Sequence, residues 1–205
     1  MNIVSYNVYN LEQALVASGL PKVTLDEAVY SLYEKNLNEN VFEQRRETVT
    51  KLGSVPIGSG HDCFLKGIIV TATIDYTQYF SMQLQRYHFL DIVSSSSKMH
   101  MLTSTGLTDN NCNAYVDPVV VRLVNDLIDK YRFETVPTKK QELFLRIMAN
   151  TPMGMMLRMQ IVTNYLQLKT IYSQRKGDAK RLPEDWGVFL DWILELPRFK
   201  QLCGV

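Results

Sequence analysis

Cysteine is scarce in this 205-residue chain: Cys63, Cys112 and Cys203 are the only three. They are too few and too scattered for a disulfide framework, and none sits in a paired C-x-x-C spacing. The histidines His61, His88 and His100 lack zinc-motif spacing as well, so no metal site is expected. Glycine and proline are sparse, at ten and seven residues, and no low-complexity tract or internal repeat is present. No stretch approaches the ~18 apolar residues of a membrane-spanning helix. The opening MNIVSYNVYN also lacks the basic-then-apolar layout of a secretory signal. Neither sign of charge is in excess: 22 Lys+Arg stand against 21 Asp+Glu, a net +1. That balance argues against wrapping nucleic acid or coating an anionic membrane. What is present is a 46% hydrophobic content in a chain long enough to bury a core. The expectation is one reduced, cytoplasmic domain over 1–205, with no nucleic-acid or membrane partner.

The first 53 residues predict helices. Leu11, Leu15 and Val16 share a face of a short segment. Thr24 can cap a second, with Leu25, Ala28, Val29, Leu32 and Tyr33 as its stripe. VFEQRRETVTKLG is a third, ending at Gly53. Gly53, Gly58 and Gly60 then let the backbone turn sharply or approach a ligand, an ordinary connection being the simpler reading. LKGIIVTATIDY, rich in β-branched residues, predicts a strand. From Thr77 the spacing turns helical through Tyr79, Phe80, Met82, Leu84, Tyr87 and Phe89. Asp117-Pro118 marks a helix start, with Val120, Leu123, Val124, Leu127, Ile128 and Tyr131 as its inner stripe. A further helix follows Pro137, and a long one is expected from about Met153 to Arg175. The tail RLPEDWGVFLDWILELPRF predicts an amphipathic helix with Trp186, Phe189, Leu190 and Ile193 inward. Helices around one clear strand region give an α/β (α+β) fold class.

Two segments concentrate chemistry. QLQRYHFLDIVSSSSKMH gathers Arg86, His88, Ser94 to Ser97, Lys98 and His100. Cations flanking a hydroxyl-rich turn complement phosphate oxygens, although an exposed serine-rich helix end is an equally good reading. No nearby Asp completes a Ser-His-Asp set, which argues against serine hydrolysis. In the second segment, Asn164, Leu168, Ile171 and Arg175 follow i, i+4, i+7, i+11 along one helical face. A polar site would explain Asn and Arg at the two ends of a buried stripe; a surface Arg closing the helix is the plainer alternative.

Together these segments resemble the flavin-dependent thymidylate synthase family in a divergent form. The family signature is R-H-R, seven residues, Ser, one residue, Arg; here Arg86-Tyr87-His88 precedes FLDIVSS and then Ser96-Ser97-Lys98. The family enters that signature through Ser-x-Gln-Leu-x-Arg, matched by Ser81, Gln83, Leu84 and Arg86. Downstream, Pro152, Asn164, Leu168 and Arg175 reproduce a Pro, eleven residues, Asn, then Leu at +4 and Arg at +11. Glu184 stands as a counterpart of a Glu in the family's last helix. The agreement spans roughly residues 55–190. In this chain Tyr87 and His88 replace the signature's central His and third Arg, and Lys98 replaces its second phosphate-binding Arg. Gly60, Leu65 and Lys66 fill the upstream His and Glu-His positions, with His61 adjacent.

The resemblance implies a twisted sheet flanked by helices and a homotetramer with sites shared between subunits. It implies methylation of dUMP with methylenetetrahydrofolate, FAD and NADPH. Arg86, Tyr87, His88 and Asn164 would lie on the flavin side. Gln83, Ser95, Ser96 and Lys98 would hold the nucleotide, and Arg175 would contact its pyrimidine as the catalytic cation. The alternative is a non-catalytic protein on the same scaffold that binds and sequesters or senses a nucleotide, for example a viral counter-defence protein. A helical interaction protein with coincidental motifs is the third reading.

Overall fold

The computed structural model describes residues 1–22 and 41–205; the helix expected from Thr24 lies outside them. Its organising element is strand β2 (Ile69–Thr77), where Val70, Ala72, Ile74 and Tyr76 are buried at alternate positions. β-branched side chains suit this pleated, half-buried surface. β2 pairs antiparallel with β1 (Asn2–Tyr9) on one side and β4 (Met156–Asn164) on the other, and β3 (Asp91–Ser95) pairs with β4. The result is one four-stranded antiparallel sheet in the order β1-β2-β4-β3.

Three of these strands depart from the sequence expectations. β1 lies in the region read as helical, yet it pairs with β2 from Asn2↔Asp75 to Tyr9↔Ile69. A register shift between Ile3 and Ser5 breaks its alternation, and an edge position leaves most of it exposed. β4 occupies the first half of the helix expected over Met153–Arg175. Its buried residues Leu157, Met159, Ile161 and Thr163 alternate with period two, so long-range pairing with β2 overrides the helical spacing of the methionines. β3, inside the segment QLQRYHFLDIVSSSSKMH, has five exposed residues and carries no periodicity to read.

The helices follow their local signals closely. After α1 (Leu11–Ala17), helix α2 (Val41–Gly53) ends at the expected glycine. A Cβ on Gly53 would overlap the Leu202 carbonyl oxygen, so the close approach there requires glycine. Thr77 Oγ1 accepts from the Phe80 amide to start α3 (Gln78–Leu84). That helix stops at Leu84 rather than running to Phe89. Ser97 caps α4 (Lys98–Thr105), and Asp117 caps α5 (Pro118–Phe133), its Oδ1 accepting from the Val119 amide at 2.7 Å. On α5, Val124, Leu127 and Ile128 are buried while Leu123 is exposed. α6 (Pro137–Asn150) returns alongside.

Asn164 closes β4 and caps α7 (Tyr165–Arg175), its Oδ1 accepting from Gln167 at 2.9 Å. A π-helical turn, Pro183–Gly187, then leads into α8 (Val188–Glu195) and the short α9 (Phe199–Cys203). Trp186, Phe189, Leu190 and Ile193 face inward as expected. Phe80 meets Trp186 and Phe189 edge-on, with centroids 4.8 and 5.8 Å apart, which locks α3 against α8. Among the described residues no helix is long and apolar enough to cross a membrane, and no His/Cys/Asp/Glu group could hold a metal.

Removing the α5 cap by Asp117→Ala is expected to cost about 1 kcal/mol, read as a lowered Tm in thermal unfolding. A second expectation concerns alkali. Burial pushes up the thiol of Cys203 and the phenols of Tyr165 and Tyr76. The unfolded chain therefore loses protons that the folded chain keeps, and stability should fall as pH rises above about 9. Denaturant midpoints that stay level from pH 8 to 11 would contradict this.

Candidate functional site

The side chain of Arg175 ends α7 inside a cage. Its Nε donates to the Tyr87 hydroxyl at 2.8 Å and its Nη1 to Asp178 Oδ2 at 2.7 Å. The guanidinium stacks over Trp186, 4.8 Å from the ring centroid. Gln83 Oε1 accepts from Trp186 Nε1 at 2.8 Å and from Arg175 Nη1 at 3.5 Å. Burial works against the charge of Arg175, but the hydrogen bonds to Asp178 and Tyr87 outweigh it and hold its pKa above the ordinary value. Nη2 makes no hydrogen bond among the described residues. The cage thus presents a permanent cation with one free edge, suited to a carbonyl oxygen or an anion.

Three elements converge to build it. α3 brings Gln83, and the turn after it brings Tyr87. The π-helical turn brings Trp186, anchored through its neighbour Asp185, a buried carboxylate that accepts from Thr77 Oγ1 at 3.2 Å. Helical stretches of this kind concentrate at functional sites.

The turn 85–90 also borders a second feature. Phe89 is fastened by its backbone: its amide donates to Gln167 Oε1 at 3.4 Å and its carbonyl accepts from Thr163 Oγ1 at 2.7 Å. Its ring lines a cleft of about 350 Å³ together with Asn164, Gln167, Gly58, Gly60 and Lys66. Gly58 and Gly60 adopt φ of +91° and +82°, and a Cβ on either would meet nothing within 4 Å. Bare backbone is therefore open to the cleft. Arg86 and His88 are exposed on the same turn.

The serine cluster is placed differently from Arg175. Ser95 ends β3 and is exposed. Ser96 Oγ accepts from the Arg158 amide at 2.9 Å and donates to the Arg158 carbonyl at 3.2 Å, extending the β3–β4 pairing. Lys98 Nζ donates to Gln78 Oε1 at 3.3 Å. Gln78 and Gln83 lie five residues apart on α3, so about 7–8 Å of helix axis separates the two clusters. Sequence-predicted residues Gln83, Tyr87 and Arg175 thus meet directly, Asn164 joins the glycine cleft, and Ser95, Ser96 and Lys98 lie toward the other end of α3.

Sequence reasoning missed two groups. Asp178 sits three residues after Arg175, a spacing that could have shown the pair. Lys169 and Asp62 could not be linked from sequence, being 107 positions apart. Lys169 Nζ donates to Asp62 Oδ2 at 2.7 Å, to the Val55 carbonyl at 2.7 Å and to the Gly53 carbonyl at 2.8 Å. Both side chains are almost fully buried, and they tie the glycine segment to α7.

No protein-family model matches the sequence, and no curated protein matches it significantly. Solved structures do match. A flavin-dependent thymidylate synthase ThyX from Helicobacter pylori, complexed with FAD and dUMP, aligns over 99% of this chain and 97% of its own, with a TM-score of 0.59 at 13% identity. A second structure of that enzyme with FAD and dUMP aligns over 98% and 94%, with a TM-score of 0.58 at 13% identity. This chain has the fold of a flavin-dependent thymidylate synthase. The synthase fold accounts for the antiparallel sheet, its helical cover and the single domain.

Lys169→Met would strand a buried carboxylate and two carbonyls. A loss of about 3–5 kcal/mol is expected in chemical denaturation. Adding Asp62→Leu should recover part of it, and a double variant no more stable than the single one would contradict this account.

Proposed function

We propose that this protein is a divergent flavin-dependent thymidylate synthase-like protein of the cytoplasm. It acts on dUMP or a related pyrimidine nucleotide, using methylenetetrahydrofolate, FAD and NADPH, as a homotetramer with shared sites. The observation that carries this reading is the Gln83–Tyr87–Arg175–Trp186 cage: residues distant in sequence meet around one cation, in a chain with the synthase fold. Arg175 Nη2 would donate to a pyrimidine carbonyl oxygen and stabilise negative charge developing on the ring. Guanidinium suits this task because it keeps its charge at any working pH. Gln83, Ser95, Ser96 and Lys98 form the nucleotide side, Lys98 supplying a point charge for phosphate.

The cleft beside the turn 85–90 fits a flavin. Open backbone at Gly58 and Gly60, Phe89 and the amide of Asn164 suit a planar heterocycle, and Lys66 in the lining, with Arg86 and His88 exposed on the adjoining turn, would serve its phosphates. Bound there, the flavin would supply hydride transfer. The chain's own part is to position: Tyr87 holds Arg175 in place, and Asn164 fixes the β4–α7 junction that walls the cleft.

A second reading, a nucleotide-binding protein without catalysis, is favoured by one specific observation. Asp178 already pairs with Arg175 at 2.7 Å and so takes up part of the charge a catalytic cation would offer.

Protein incubated with FAD and desalted should keep a flavin absorption band that shifts on adding dUMP. With NADPH and folate present, tritium at C5 of dUMP should be released. Absence of both signals, with nucleotide still retained in equilibrium dialysis, would establish the second reading. Arg175→Ala should weaken nucleotide binding about tenfold or more, a loss of about 1.5–3 kcal/mol. Unchanged affinity in that variant would remove Arg175 from the site.

A further inference from the structure

β1 is an unusual edge strand. It is eight residues long and pairs only through β2 among the described residues. Its sequence NIVSYNVY holds no charged residue and no proline, the usual guards against unwanted pairing. The opposite edge, β3, is only five residues long and carries Asp91. Val4 and Tyr6 of β1 are both 42% exposed. The register shift beside Val4 is the one protective device on this edge among the described residues.

Beside this edge runs a groove of about 550 Å³ whose other wall is α8. Its floor is apolar. Tyr6 meets Trp192 edge-on at 5.9 Å, and the Trp192 indole N–H has no acceptor among the described residues. Its rim is acidic. Asp191 and Glu195, one helical turn apart, are exposed, and their carboxylates make no hydrogen bond or ion pair among the described residues.

We propose that the free edge of β1 and the acidic face of α8 together dock an extended, basic segment of another protein, which adds to the sheet as a fifth strand. Main-chain groups of β1 would bind the segment regardless of its sequence, while the groove selects side chains on alternate residues. The helix-facing residues of the added strand would pass over Tyr6 and Trp192 and reach Asp191 and Glu195. A lysine or arginine there completes both carboxylates. Charge also argues against a second copy of this chain as occupant. β1 has no cation to offer, and a two-fold pairing of β1 strands would bring Asp191 and Glu195 against their own copies.

The test uses the full chain and a fluorescein-labelled octapeptide, Thr-Lys-Val-Lys-Val-Lys-Val-Thr, followed by fluorescence anisotropy. Saturable binding is expected, weakening at least tenfold in the Asp191→Lys/Glu195→Lys variant. Methylating alternate backbone nitrogens of the peptide should abolish binding while its charge stays the same. Both acids are on the surface, and circular dichroism checks that the variant folds. A second variant, Val4→Lys, guards the edge itself and should also weaken binding. Absence of saturable binding, or equal binding by the acid-reversed variant or the methylated peptide, would overturn the proposal. So would a dimer in sedimentation that Val4→Lys dissociates, because the edge would then belong to a second copy.

Discussion

A buried ammonium holds the functional half of this protein together. Lys169 directs its three N–H groups to three acceptors from one segment: the carbonyls of Gly53 and Val55 and the carboxylate of Asp62. The desolvation penalty on such a pair is severe, and complete hydrogen bonding is what offsets it. The geometric consequence matters more than the energy. α7 and the segment 53–62 are fixed relative to each other, so the backbone of Gly58 and Gly60 faces Asn164 across the cleft. Cys203 lies beside this pair as a buried, protonated thiol, its pKa raised mainly by burial.

With α7 anchored at its middle, its two ends serve two different features. Asn164 caps its start and lines the cleft; Arg175 closes its far end and enters the cage. Eleven residues of helix span about 16 Å. The turn 85–90 touches both features, with Phe89 at the cleft and Tyr87 at Arg175. The Tyr87 hydroxyl accepts from the guanidinium. That hydrogen bond orients the cation, while Asp178 pairs with its charge directly.

Much of this was legible in the sequence where the signal is local. Asp117-Pro118 started a helix and Gly53 ended one, because caps and φ preferences act within a few residues. Phe189, Leu190 and Ile193 lay inward on one helical stripe. β1 and β4 were misread for the opposite reason. Their strand character comes from pairing with β2, a partner about 60 to 95 positions away, and single-sequence spacing carries no trace of such a partner.

The sequence by itself determined the helix end at Gly53 and the helix start at Asp117-Pro118, the central strand, the spacing of Asn164, Leu168, Ile171 and Arg175, and the order of motifs that resembles the synthases. Each of these is encoded by residues near one another along the chain. Only the tertiary structure decided that Lys169 meets Asp62 and that Trp186 is both a core residue and the platform for Arg175. It also decided that Ser96 and Lys98 sit apart from the cage. Those outcomes depend on how α3, α7 and the π-helical turn pack on the sheet, and packing couples residues that no local pattern connects.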